Sequence, residues 1–468
     1  MMQAPLNLVG KRVLVVGLGR SGVAAANLCA GRGAQVTVND ARPEAELLPA
    51  LAELPSGIAR VLGGHPVEAF LAADLVVLSP GVPPLPQIEA ARAQGILVTG
   101  ELELASWFIE GTLVAITGTN GKSTTTTLCG AILAANGRPT FVGGNLGTPL
   151  ALAVDTPAGR AGGVCVVEAS SFQLETVSSF RPQVAVLLNL TADHLDRYPE
   201  FSQYLAAKQR IFAAQTPSDF AVLNIDDANV ELAVRQVQSR CVLISTRRAL
   251  GVGGWVEDDS LCLRLPGGPV EFYPGQLPGL VGRHNQENAL AALAAARLLG
   301  ALPAEARYAL AAYRPLPHRM ELVGDFNAIE FYDDSKGTNV GAVVAALDGF
   351  PRKVVLIAGG KDKGGSYAPL AQAMRQSGRA AVLIGEAAAQ IRAALAGVVP
   401  IAIAADMNEA VERAARFAER GDAVVLSPAC SSFDMFRDYA HRAEVYRSAV
   451  HNLIHGASRH VPADPEVD

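Results

Sequence analysis

The 468-residue chain has no block of Lys and Arg: 39 basic residues are scattered among 45 acidic ones, for a formal charge of -6. This argues against the basic patch or stripe by which nucleic-acid proteins usually meet phosphate. Any anionic ligand must therefore be held by local groups. There is also no apolar run of the roughly 18–20 residues needed to cross a bilayer. The opening stretch MMQAPLNLVGKRVLVVGLG is partly apolar, but it feeds a glycine-rich turn and lacks a small-residue cleavage site, so no secretory signal is expected. The 6 Cys are never spaced C-x-x-C. They are expected to be reduced and mostly buried in a cytoplasmic protein, without a disulfide framework or zinc site.

What the chain does have is length and apolar material. At 50% hydrophobic residues, it can bury more than one core, and its size suggests two to four domains. Short apolar runs alternate with Ala-rich, helix-like segments throughout. That pattern predicts α/β domains built on mostly parallel sheets, with helices on both faces.

KRVLVVGLGRSGVAAANLCAGRGAQVTVND opens the chain as strand, glycine turn, helix and second strand. Gly17, Gly19 and Gly22 allow a tight turn at a helix N-terminus, where unpaired N–H groups favour phosphate. Asp40 lies 18 positions after Gly22, where it could meet a ribose or another sugar-like hydroxyl. A dinucleotide is one reading of this pattern, but no hydride chemistry follows it, so an anionic ligand is expected instead. ADLVVLSPGVP (73–83) and GILVTGELELASWF (95–108) continue the alternation.

The clearest chemical signal is AITGTNGKSTTTTLCGAIL (115–133). A phosphate loop of the form G-x-x-x-x-G-K-[ST] would have Gly where Ile116 stands. The shorter loop still lets Gly118, Asn120 and Gly121 turn N–H groups toward phosphate, with Lys122 reaching the β and γ positions and Ser123 available to Mg2+. The four Thr after Ser123 are poor interior helix formers and are expected in the first turns. Glu168 and His194 each follow a predicted strand, and Lys208 lies on the next helix, where it could equally be a solvated side chain. Farther on, NAIEFYDDSKGTN, KVVLIAGGKDKGG and DAVVLSPACSSFDMF place polar groups just after apolar strands, the usual ligand edge of an open α/β sheet. From the residues alone an amide ligase, a kinase, an ATPase and a nucleotide-responsive binding module all remain open. The mixture of Lys336, Lys363, Asp334, Thr338 and Ser432 favours an ammonium-bearing dicarboxylate as acceptor.

GTNGKST (118–124), EASSFQLE (168–175), LNLTADHLDRY (188–198), GRHNQENALAA (282–292), LPHRME (316–321), DDSKGTN (333–339), AGGKDKG (358–364) and LSPACSSFDMF (426–436) occur in that order. Together they resemble the Mur ligase family, over essentially the whole chain to about residue 455. The resemblance implies three domains: a Rossmann-like UDP-substrate domain (1–110), a central ATP-binding domain of P-loop type (111–312) and a Rossmann-like amino-acid domain (313–455), with 456–468 as a flexible tail. It implies ATP-dependent addition of D-glutamate to UDP-N-acetylmuramoyl-L-alanine, with two Mg2+ ions. The chain is expected to act as a monomer, without nucleic acid or a transmembrane segment.

Carried over residue by residue, the resemblance assigns Gly118, Thr119, Asn120, Gly121, Lys122, Ser123 and Thr124 to the ATP phosphates. Asn288 would meet adenine, Arg319 the phosphates, and Asp334 the adenosine ribose. Ser123, Glu168, His194 and a carbamylated Lys208 would hold metal. Gly19, Arg20, Ser21, Gly22, Asp40, Arg42 and Ser79 would meet the uridine diphosphate, and Asn145, Ser170 and Gln173 the muramoyl-alanine carboxylate. Lys336, Thr338, Lys363, Ser432, Phe433 and Tyr439 would recognise D-glutamate or close its pocket. Two positions depart from the family pattern: Tyr439 stands where Phe is usual, and Lys361 where an acidic residue is usual.

Overall fold

The computed structural model describes residues 7–194, 197–234, 237–278, 280, 282–348 and 350–457. The expected tail beyond Ala457, and Asp196 of the DHLDRY segment, lie outside the described residues. The chain forms two compact units. The first carries two sheets; the second carries a third sheet together with Thr191–Phe201 and Gln276–Gln286.

The first sheet has β1 (Arg12–Val16), β2 (Gln35–Asp40), β3 (Ala59–Leu62), β4 (Leu75–Leu78) and β5 (Leu97–Gly100), all parallel, in the order β3-β2-β1-β4-β5. Residues 13–16 of β1 and all of β4 are buried, as continuous Val and Leu runs in a sheet covered on both faces should be. The strand order reverses between β1 and β4, which opens a crevice at their C-terminal ends. The glycine turn of residues 17–22 sits there.

The second sheet has nine strands. β6 (Thr112–Thr117), β7 (Thr140–Gly144), β8 (Val164–Glu168), β9 (Val184–Leu187), β10 (Phe220–Asn224), β11 (Arg240–Ser245), β12 (Gly253–Glu257), β13 (Ser260–Arg264) and β14 (Glu271–Pro274) lie in the order β14-β13-β12-β11-β10-β9-β6-β8-β7. Pairing is parallel from β7 to β12 and antiparallel across β12, β13 and β14. That antiparallel edge was not anticipated. It turns at Asp258 and Asp259, both at positive φ (44° and 58°), the two-residue hairpin geometry that suits Asp.

Two carboxylates fasten the first sheet to the second within this unit. Both lie on the helix Glu101–Ser106, directly after β5. Glu103 accepts the N–H groups of Ser178, Ser179 and Phe180, both serine hydroxyls and the Trp107 indole. Burial would push its carboxyl up, but these donors outweigh that and hold it below its ordinary value. Glu101 is equally buried but poorer in partners. It accepts from Ala151 N at 2.7 Å, and its Oε2 has no partner among the described residues. Burial therefore wins and pushes its carboxyl up to about 7, against the pull of the Ala151 and Leu150 N–H groups.

The third sheet has β15 (Glu321–Phe326), β16 (Ile329–Asp333), β17 (Val354–Gly359), β18 (Gly378–Ile384), β19 (Ile401–Ile403) and β20 (Ala423–Leu426), in the order β15-β16-β20-β17-β18-β19. Only β15 pairs antiparallel. One face packs on Val343, Leu347, Met374 and Ile391, and the other on Met407, Val411, Tyr446 and Val450. The expected α/β class with mostly parallel sheets is therefore observed. All six cysteines are free thiols, and only Cys241 is exposed.

Candidate active site

The phosphate loop joins β6 to the helix Lys122–Ala135. Gly118 and Gly121 hold positive φ (151° and 82°), and a Cβ on Gly121 would lie 2.1 Å from Asn288 Oδ1. This requires glycine, and it brings Asn288 against the loop. Lys122 Nζ curls back to donate to Thr119 O (2.8 Å) and Gly118 O (3.1 Å). The threonines lie in the first two turns, as expected, and their hydroxyls are used locally. Thr126 and Thr127 bond back to the carbonyls of Lys122 and Ser123, while Thr125 donates to Asn288 Oδ1.

Strand register sets the carboxylate. β6 and β8 pair with Ile116 opposite Glu168, and β7 pairs with Gly144 opposite the same residue. Glu168 therefore ends its strand between the phosphate loop and the loop after β7. Ser123 Oγ donates to Glu168 Oε2 at 2.6 Å, and Asn145 Nδ2 to Oε1 at 2.7 Å. Lys208, on the helix Phe201–Gln209, is buried. Its Nζ lies 2.8 Å from Gly118 O, 3.3 Å from Thr117 Oγ1 and 4.7 Å from the Tyr204 ring centroid. Burial rules out the solvated-lysine alternative. A hydroxyl and a carboxylate beside a phosphate loop form a hard oxygen donor set that fits Mg2+.

A cavity of about 480 Å³ opens at the crevice of the first sheet. Its walls include Gly19, Arg20, Ser21, Asp40, Arg42 and Ser79, with Asn145 from the loop after β7 and Gln173 from the short helix after β8. Gly22 is fixed by packing, since a Cβ there would lie 1.8 Å from Gly17 O. Asp40 accepts from Leu18 N (2.7 Å) and is forked by Arg42. Burial would raise its carboxyl, but the hydrogen bonds from Arg42 and Leu18 overcome this and hold it at about 2. Asp40 thus braces the loop as an ion. Ser170 acts locally, capping a short helix in a reciprocal box with Gln173.

In the second unit the expected residues follow β16, β17 and β20, which are neighbours in the sheet. Asp334 is buried and accepts from Ser427 Oγ at 2.6 Å. Burial pushes its carboxyl up to about 7, against the Ser427 hydrogen bond and the charge of Arg319. Thr338 N bonds to Lys336 O (2.9 Å). Lys336 Nζ stands 4.0 Å from the centroid of the Tyr439 ring, whose edge meets His318. Lys363 Nζ lies 3.7 Å from Asp193 Oδ1, and Asn339 donates to the other oxygen. His194, next in the chain, holds φ +54° with its N–H on the Asp193 carboxylate. Ser432 is buried and Phe433 is 69% exposed. Lys361 pairs with Ser431 through backbone bonds, which ties the loop after β17 to the loop after β20. Sequence reasoning missed Arg442. It is fully buried, donates to Ser335 O and Cys430 O, and so links the loops after β16 and β20. His318, Glu321 and Asp333 bring ligand atoms within 4.8 Å of one another. Arg447 donates to both carboxylates, so the cluster is an ion-pair network.

Residues 11–100 match the Mur ligase MurD-like N-terminal domain, 116–296 the Mur ligase middle domain, and 318–430 the Mur ligase glutamate ligase domain. A UDP-N-acetylmuramoylalanine–D-glutamate ligase from Geotalea daltonii is 48% identical over 456 residues, covering 97% of this chain and 100% of that protein. The chain belongs to the Mur ligase family. A ligase of the same name from Geobacter metallireducens is 49% identical over 450 residues, 96% of this chain and 99% of its own. Two solved Mur-type ligases share the fold at low identity. A pseudomurein peptide ligase type C from Methanothermus fervidus gives a TM-score of 0.60 at 20% identity, covering 95% of this chain and 100% of that one. A MurF ligase from Thermotoga maritima, solved with ADP, gives 0.59 at 16%, covering 98% of each.

Proposed function

We infer that the chain is an ATP-dependent amide ligase that adds D-glutamate to UDP-N-acetylmuramoyl-L-alanine in peptidoglycan precursor synthesis. The observation that carries this reading is near-full-length identity of 48% to a ligase of that name, spanning all three domains. The site geometry agrees with it: a phosphate loop lies against Glu168 and Asn145, close to a cavity at a glycine turn.

In this reading the domains divide at 110 and 312. The N–H groups of residues 118–121 take the ATP phosphates, and Lys122 leaves its loop carbonyls to reach the β and γ positions. Asn288, Arg319 and Asp334 hold the adenosine and phosphate groups. Ser123, Glu168, His194 and Lys208, the last as a carbamate, hold Mg2+. When bound, Mg2+ offsets the charge that develops on the transferred phosphoryl group. Carbamylation suits Lys208 because an ammonium facing a cation would repel it, whereas a carbamate supplies a ligand oxygen.

The glycine turn of residues 17–22 takes the diphosphate, with Arg20 and Arg42 supplying charge. Asn145 and Gln173 orient the muramoyl-alanine carboxylate for attack on the γ-phosphorus, which gives an acyl phosphate and ADP. Lys336, Thr338, Lys363, Ser432, Phe433 and Tyr439 orient D-glutamate. Its amine adds to the acyl carbon, and the tetrahedral intermediate collapses with loss of phosphate. The reading includes a monomeric, cytoplasmic enzyme.

The acyl phosphate is the distinctive step. Hydroxylamine added during turnover without D-glutamate should yield a hydroxamate of UDP-N-acetylmuramoyl-L-alanine. ATP hydrolysis without hydroxamate would overturn the mechanism.

A further inference from the structure

His65 follows β3, outside every motif that marked the site, yet it lines the cavity beside Asp40 and Arg42. Its ring is fixed by Asn39, the fully buried residue before Asp40. Asn39 Nδ2 donates to Val61 O and to Gly64 O, each at 2.7 Å. Both amide hydrogens are therefore used, and flipping the amide would set its oxygen against two carbonyls. Asn39 Oδ1 consequently faces His65 Nδ1 at 2.6 Å as an acceptor. That contact requires the proton on Nδ1. The neutral ring then carries a bare acceptor at Nε2, which makes no hydrogen bond to any described residue. Gln87 Nε2 on His65 O (2.8 Å) and the Phe70 ring against the imidazole hold the residue in place.

Cavity position says what such an acceptor meets. Asn145 and Gln173 mark one wall, the phosphate-favouring turn of residues 17–22 lies at the β1/β4 crevice, and His65 follows β3 at the opposite edge of the first sheet. A nucleoside diphosphate sugar with its carboxylate end at Asn145 would place its base toward β2 and β3.

We propose that His65 Nε2 accepts the N3–H of uracil and is a specificity-determining residue for the nucleotide. The proposal rests on reading this cavity as the UDP-substrate site. Uracil offers an N3–H donor, whereas cytosine presents a bare N3 acceptor. A polar group built to pair with one partner discriminates against an analogue that leaves it unpaired.

The test is competition by UDP, CDP and N3-methyl-UDP against UDP-N-acetylmuramoyl-L-alanine, with wild type and His65→Ala. Wild type should prefer UDP over both analogues by about tenfold or more. His65→Ala should bind UDP about tenfold more weakly and hold UDP and CDP alike, with the KM for ATP and for D-glutamate unchanged. Because N3-methyl-UDP and CDP probe the wild-type protein, the result does not depend on how the variant folds. Equal binding of UDP and CDP by wild type, or an undiminished UDP preference in His65→Ala, would overturn the assignment while D-glutamate-dependent turnover still supports the function. Failure of UDP to compete at all would overturn both this assignment and the reading of the cavity.

Discussion

Ser123 Oγ donates to Glu168 Oε2 at 2.6 Å across 45 residues of sequence, and both side chains are buried. The contact exists because β6 and β8 are paired in register and the helix Lys122–Ala135 begins immediately after the loop. Replacing Glu168 by Gln keeps the shape and removes the charge. Glu168→Gln should lower the rate of ATP-dependent phosphate release on the order of 100-fold or more, with little change in the thermal midpoint. Steady-state rates across a Mg2+ titration check this.

Lys208 should carry a carbamate in active enzyme. Native mass spectrometry of the intact protein held in bicarbonate should show one added CO2 that is missing from Lys208→Ala. Lys208→Ala should be inactive, and a short-chain carboxylic acid should restore part of its activity by supplying the missing oxygen.

Glu101 should make stability fall as pH rises. Its folded carboxyl sits at about 7 against an ordinary 4.5. Between those values the folded state holds more protons than the unfolded state, so the slope of unfolding free energy with pH is negative. The full cost, about 3 kcal/mol in order of magnitude, is present above pH 7 and vanishes below 4.5. Glu101→Gln should remove this contribution. Its denaturation midpoint, compared with wild type, should therefore improve from pH 5 to pH 8.

Gly121→Ala should abolish nucleotide binding. The backbone there is left-handed, and the added methyl would meet Asn288 Oδ1 at 2.1 Å. The strained conformation alone costs roughly 1–2 kcal/mol. Calorimetric titration with ATP should show no binding, while circular dichroism stays close to wild type.

Much of the framework was legible because local pattern controls it. Gly17 and Gly118 each close a strand of Val, Leu and Ile, and Ser123 follows the same loop after Gly118, so strand-then-turn chemistry identified them without structural knowledge. Glu168 was found in the same way. Other residues were opaque because their roles come from distant partners. Glu101 looks like any helical Glu until Ala151, 50 residues away, is placed on its carboxylate. His65 matters only through Asn39, and Arg442 only through the carbonyls of Ser335 and Cys430. The hairpin at Asp258-Asp259 did leave a signal, since paired Asp residues tolerate positive φ in a two-residue turn. Its flanking strands, GGWVE and SLCLR, are only five residues each, which obscured it.

The central claim is that ATP cleavage serves to join D-glutamate to a UDP-linked muramoyl-alanine. The most direct measurement is phosphate release by the purified chain with ATP, Mg2+ and UDP-N-acetylmuramoyl-L-alanine, offering D-glutamate, L-glutamate and a diamino acid in turn. Release that appears with D-glutamate, in step with amide product, and stays at background with the other two is the predicted result. Release indifferent to the amino acid, or driven by the diamino acid, would contradict the account.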